Sequence, residues 1–187
     1  MKSKLIIRQK CLQNRDIIFK IKGNNCLKTA DINKIISEIK SKSKISSVGI
    51  YYPIKSEISP LKLIEILKKT TVKICLPVIC KNTNELIFSK FENKKSLTKN
   101  KYGIFEPTKL IKITPDIIFV PMAGFDKNLN RLGYGKGYYD RTISKLRKLK
   151  NIFVIGLAYD NQMMINIPIE NHDEKMDIIV TEKNIYR

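Results

Sequence analysis

At 187 residues and 43% hydrophobic content, the chain is expected to be a single domain, residues 1–187, that needs no metal or disulfide staple, since chains above about 150 residues bury roughly 70% of their extended surface. The formal net charge of +19 comes from 30 Lys and only 6 Arg spread end to end. Arg is the usual residue for bidentate phosphate and base contacts, so this balance argues for compositional bias and against a specific nucleic-acid partner. No apolar run is long enough to span a bilayer and no signal-peptide pattern is present, so a reducing cytoplasmic setting, no membrane partner and a monomer are expected. Cys11, Cys26, Cys75 and Cys80 lack zinc-ligand spacing, and the apolar context of Cys75 and Cys80 reads as core.

Residues 2–20 predict a helix with Leu5, Ile6, Leu12 and Ile17 on a broad apolar face. Asp31 is placed as the cap of a second helix carrying Ile32, Ile35, Ile36 and Ile39 at helical spacing. Residues 48–52 read as a strand ended by Pro53, and Pro60 opens a helix reaching Lys69. Residues 71–79 read as a buried strand, 85–91 as a shorter antiparallel one, and 94–108 as a polar loop. Further strands are predicted at 116–121, 152–159 and 176–181, with a basic helix over 138–150. Strands alternating with helices predict an α/β fold, a mostly parallel sheet with helices on both faces.

Between the strand ending near Val120 and the helix from Tyr138 lies VPMAGFDKNLNRLGYGKGYYDR. Gly133, Gly135 and Gly137 stand at every second position, flanked by Arg131, Lys136 and Arg141. Glycines let the backbone approach a ligand, and successive amides with a following helix N-terminus suit an anion. The local reading is a phosphate cradle from Arg131 to Tyr139, through Leu132, Tyr134 and Tyr138, with Arg131 and Lys136 as its cations. Lys4 and Arg8 lie one helical turn apart and share a face. The loop fits neither the P-loop nor the dinucleotide fingerprint.

The string F-D-x-x-x-x-R-L-G-x-G-x-G-Y-Y-D-R, formed here by Phe125, Asp126, Arg131, Leu132, Gly133, Gly135, Gly137, Tyr138, Tyr139, Asp140 and Arg141, resembles the signature of the 5-formyltetrahydrofolate cyclo-ligase family. Lys4 and Arg8, Tyr51-Tyr52-Pro53 with Glu57, Glu106-Pro107, and the C-terminal residues His172-Asp173 and Met176-Asp177 fall in further matching blocks. The resemblance implies ATP-dependent closure of 5-formyltetrahydrofolate to 5,10-methenyltetrahydrofolate, with ATP as co-substrate and Mg2+ as cofactor. It implies catalytic roles for Arg131, Lys136 and Tyr139, ATP contacts from Lys4, Arg8 and the cradle, and a folate slot formed by Tyr52, Glu57 and Tyr139. Asp140 and Asp177 match the family's magnesium carboxylates.

Plain structural alternatives stand beside these roles. Glu57 can be a surface loop acid, Lys4 and Arg8 helix-surface cations, Asp140 a partner of Arg141 or Arg147, and Asp177 a strand-start residue. Asp126 can orient the cradle through backbone contacts, and His172, the sole histidine, reads as structural. Gly124 and Ser59-Pro60 depart from the family pattern and bear on substrate packing more than on the reaction. Two other functions stay open: an ATP-using paralogue with another substrate, and a basic nucleic-acid-binding protein with a structural glycine loop.

Overall fold

The computed structural model describes residues 4–24, 27–42, 45–80 and 83–187; Cys26 and the first residues of the expected N-terminal helix lie outside them. In chain order the elements are α1 (Lys4–Lys22), α2 (Thr29–Lys42), β1 (Ser47–Gly49), α3 (Leu61–Leu67), β2 (Lys73–Ile79) and β3 (Leu86–Lys90). A hairpin of β4 (Leu97–Lys99) and β5 (Phe105–Pro107) follows, then β6 (Ile117–Pro121), β7 (Gly124–Asp126) and β8 (Arg131–Leu132). The chain closes with α4 (Tyr138–Leu149), β9 (Phe153–Leu157), β10 (Met163–Met164), β11 (Ile178–Val180) and β12 (Ile185–Tyr186).

Seven strands form one sheet in the order β12-β11-β9-β6-β1-β2-β3. The five inner strands are parallel, while β3 and β12 add antiparallel edges. Side chains alternate across a strand, and here each alternate set meets a helix. Ile117 and Phe119 of β6, with Ile155 and Leu157 of β9, pack in one cluster with Ile32 and Ile36 of α2 and Leu63 and Leu67 of α3. Ile118, Val120 and Val154 point the other way, into a cluster with Ile143 of α4. Both faces are therefore covered, which accounts for the near-continuous apolar runs of β6 and β9. The remaining helix, α1, packs Cys11, Ile7 and Leu12 against Ala123 and Leu132, beside the small sheet β10-β7-β8.

Several expected boundaries shift. The first strand ends at Gly49, three residues early, because the chain from Tyr51 onward turns away to wall a cavity. Helix α2 begins at Thr29, so Asp31 lies inside it and is not its cap. The polar stretch 94–108 is not a plain loop: after a 3-10 turn it forms the β4–β5 hairpin. Glu106 anchors this hairpin to the sheet, accepting hydrogen bonds from the Ile79 N–H (3.2 Å) and Asn100 Nδ2 (2.6 Å). Cys75 is fully buried as expected of a core residue, whereas Cys80 is half-buried.

Candidate active site

The strands of a parallel sheet deliver their carboxyl ends to one edge, where ligands usually bind. Two cavities open there. The larger, of about 440 Å³, is of the size of small-molecule sites and is lined by Tyr51 and Tyr52 after β1, Pro77 and Ile79 of β2, and Phe105 of the hairpin. Phe105 packs on Tyr52 with ring centroids 4.9 Å apart, so the hairpin roofs this aromatic slot. The smaller cavity, of about 250 Å³, is polar and is lined by Lys4 and Arg8 of α1, Gly135, Glu170, His172 and Asp173. Arg131, Gly133, Gly137 and Asp140 line both cavities and form their common wall.

The signature builds this wall from a short β-hairpin. Asp126 accepts hydrogen bonds from the amides of Asn128 and Asn130 and from Asn130 Nδ2, and its other contact reaches the Ile167 amide. Of the two roles considered for Asp126, these contacts match the orienting one. Past β8 the loop divides its residues between the cavities. Gly135 faces only the polar one, while Tyr134, Lys136, Tyr138 and Tyr139 line only the larger. The glycines thus leave bare backbone on the polar side. Gly135 has φ +91°, a conformation that favours glycine, and the Arg8 guanidinium lies 3.2 Å from where a Cβ would stand, so it would also have to give by a few tenths of an ångström. Arg8 also donates from Nε to the Gly133 carbonyl at 2.7 Å. Gly137 caps α4 with no side-chain hydrogen bond, so the amides of the first turn remain as donors beside the loop.

Arg131 is 7% exposed and donates from Nη2 to both oxygens of Asp140, at 2.8 and 2.7 Å. Its Nη1 reaches the Pro121 carbonyl at 3.5 Å, and its buried Nε has no hydrogen-bond partner. The ring of Tyr139 lies under the Arg131 guanidinium, 5.7 Å from centroid to Cζ. Burial and the Glu57 charge raise the Tyr139 phenol above its ordinary range, so it stays a neutral donor.

Glu57 stands in the larger cavity, 3% exposed, and accepts hydrogen bonds from Tyr134 OH (2.5 Å) and the Ile54 N–H (2.9 Å). It is therefore not a surface acid. Burial raises its pKa, while the hydrogen bonds from Tyr134 and Ile54 and the charge of Arg15 pull the other way. Sequence reasoning missed Arg15, although its phase was legible: Lys4, Arg8, Cys11 and Arg15 follow the i, i+4, i+7, i+11 stripe of one helix face.

Other expected groupings come apart. Asp140 pairs with Arg131, not with Arg141 or Arg147. Asp177 does not join it. The Asp177 carboxylate accepts the Val154 N–H at 2.6 Å and meets Arg147 at 3.3 Å. Arg147 is seven residues beyond Asp140 on α4, which at helical rise is about 10 Å along the axis. Asp173 and Glu170 share the polar cavity with Asp140, and Asp173 was overlooked because it and Asp177 fall in one C-terminal block. Lys4 Nζ holds Asp173 at 2.6 Å and Glu170 at 3.3 Å, and His172 is an exposed rim residue beside Glu170. Hard carboxylate oxygens suit Mg2+, which takes one or two carboxylates together with phosphate oxygens and water. Asp140 and Asp173 fit that description.

An open parallel sheet here carries paired cavities at its carboxyl edge, one largely apolar and one lined by bare backbone, cations and carboxylates, the layout of a protein with two adjoining ligand sites. The 5-formyltetrahydrofolate cyclo-ligase family profile matches residues 1–182. The probable 5-formyltetrahydrofolate cyclo-ligase of Schizosaccharomyces pombe is 33% identical over 172 residues, covering 83% of this chain and 84% of that protein. The Haemophilus influenzae 5-formyltetrahydrofolate cyclo-ligase is 35% identical over 141 residues, 72% of this chain and 75% of the relative. The NMR structure of Aquifex aeolicus 5,10-methenyltetrahydrofolate synthetase superposes with a TM-score of 0.74 at 31% identity, over 98% of this chain and 92% of that one. The chain belongs to the 5-formyltetrahydrofolate cyclo-ligase family and is an enzyme with that ligase activity. Membership carries ATP use with it. Among the described residues no helix is long and apolar enough to cross a membrane.

Proposed function

We propose that the polar cavity receives the triphosphate of ATP, that the aromatic cavity receives 5-formyltetrahydrofolate, and that the reaction takes place at their common wall, with the whole chain acting as one catalytic domain. The observation that supports this most is that Arg131 lines both cavities while keeping a buried, unpartnered Nε–H. A formyl oxygen is a poor leaving group until activated. The γ-phosphoryl group passes from ATP to that oxygen, giving ADP and an iminium phosphate. N10 then attacks the activated carbon and the ring closes; N10 gives up its proton, and the C–O bond breaks to release inorganic phosphate.

The protein's share is alignment and charge stabilisation. The Gly133–Gly137 backbone and the α4 amides hold phosphate oxygens, with Lys4 and Arg8 above them. Arg131, stacked on Tyr139, stabilises the transferring group. Glu57 accepts N–H groups of the pterin edge, and Tyr52 and Tyr139 supply flanking rings. Lys136, whose ammonium lies 5.9 Å from the Tyr102 ring centroid, serves the mouth of the folate cavity. Asp140 and Asp173 would hold a magnesium ion, which when bound offsets phosphate charge.

Glu57→Gln tests the assignment of ligands to cavities. The amide keeps the size but loses the charge and one acceptor. Affinity for 5-formyltetrahydrofolate is expected to fall by about 1–3 kcal/mol, with ATP affinity near the parent value. Calorimetric titration with each ligand alone reads this; loss of ATP with folate retained would reverse the two cavities.

A further inference from the structure

Glu57 and the phosphate loop are joined by a side chain that the reaction does not otherwise use. Tyr134 stands between Gly133 and Gly135, yet it turns its hydroxyl away from the polar cavity. Although 38% exposed overall, it drives the hydroxyl inward between two buried charges. Tyr134 OH donates to Glu57 Oε1 at 2.5 Å and accepts a hydrogen bond from Arg15 Nη1. Arg15, 2% exposed, is fixed in turn: its Nε donates to Ser56 Oγ at 3.0 Å, and Ser56 donates to Asp16. Its guanidinium also lies 5.5 Å from the Tyr134 ring centroid. The chain of contacts runs from α1 through the phosphate loop to the folate acid.

We propose that Tyr134, held by Arg15, is a positioning residue that fixes the Glu57 carboxylate toward the folate cavity, so that the loop receiving the triphosphate also sets the acceptor for the second substrate. This rests on the assignment of the aromatic cavity to 5-formyltetrahydrofolate. A carboxylate has about four acceptor positions. Tyr134 and the Ile54 amide take one on each oxygen, which locks the plane of the group and leaves the rest for a pair of pterin N–H donors. A buried carboxylate with no such partners protonates readily, and a protonated Glu57 is a poorer acceptor.

The groups around Glu57 are Arg15 from α1, Tyr51 from the chain after β1, Tyr134 from the loop and Tyr139 from α4, with Lys55, Glu106, Arg131, Lys136 and Asp140 lining the same cavity. Of these, Tyr134 and Arg15 lower the Glu57 pKa against the larger effect of burial. Folate binding therefore weakens as pH falls through the raised Glu57 pKa. Removing the Tyr134 hydroxyl raises that pKa further, so the weakening starts at a higher pH.

The test is Tyr134→Phe, which deletes one oxygen, with calorimetric affinities for 5-formyltetrahydrofolate and for a non-hydrolysable ATP analogue measured separately across pH. The variant is expected to bind folate about tenfold more weakly at neutral pH. Its folate pH profile should move to higher pH, and its affinity for the ATP analogue should stay within about twofold of parent. Arg15→Gln should displace the profile in the same direction, which keeps the question answerable if one variant folds poorly. An unmoved pH profile in a folded variant, or equal loss of both ligands, overturns the proposal and leaves Tyr134 as a wall residue. Parent protein that binds the ATP analogue but no 5-formyltetrahydrofolate overturns the cavity assignment itself.

Discussion

Arg131→Ala is expected to lower kcat/KM by at least about a hundredfold, the scale of removing a preorganised donor from a developing charge. It should also cost about 3–5 kcal/mol of stability, because the change strands a buried partner. Both effects follow from one arrangement. The guanidinium and the Asp140 carboxylate are 4% and 10% exposed and only 2.7 Å apart. Without Arg131, the remaining described contact to Asp140 is the Glu174 N–H at 3.4 Å. Urea unfolding reads the stability and single-turnover kinetics reads the chemistry. Arg131→Lys separates them: it restores much of the charge balance but not the flat fork spanning both cavities, so stability should recover more than turnover. Parent-like turnover in folded Arg131→Ala would place Arg131 outside the reaction.

Asp140→Asn should depress turnover by about a hundredfold or more while changing folate affinity by less than about threefold. The side chain lies in the first turn of α4, at the wall shared by the cavities. Asparagine keeps the shape and one acceptor for Arg131 but is a weak ligand for a hard cation. The loss should therefore be steepest at limiting magnesium. Asp173→Asn should raise the magnesium requirement in the same way, whereas Asp177→Asn should act on stability through the Val154 amide and Arg147. Unchanged turnover of Asp140→Asn at limiting magnesium would remove it from the site. A magnesium effect at Asp177 without one at Asp173 would reverse the second ligand.

The parts of the fold that were legible in the sequence are those where burial repeats locally. Strand β6 is apolar at every position from Ile117 to Pro121 because α2 and α3 cover one face and α4 the other. The β4–β5 hairpin was illegible because its anchor is distant: Glu106 is secured by the Ile79 amide, 27 residues away in sequence. The short strands β7 and β8 were hidden inside the signature, which reads as one connection between a strand and a helix. Of the site, the glycine spacing marked the loop that walls the two cavities, but not that Tyr134 and Lys136 would turn into the larger one. The choice between Asp173 and Asp177 depended on which carboxylate reaches the polar cavity, and the pairing of β9 with β11 holds Asp177 away from it, on the Val154 amide.

The most direct measurement of the central claim is the absorbance of 5,10-methenyltetrahydrofolate formed when the protein is given 5-formyltetrahydrofolate and Mg-ATP, with ADP quantified in the same samples. The account predicts an absorbance rise that requires ATP and matches ADP one for one. Folded protein that forms no methenyl product, or forms it equally well without ATP, would contradict it.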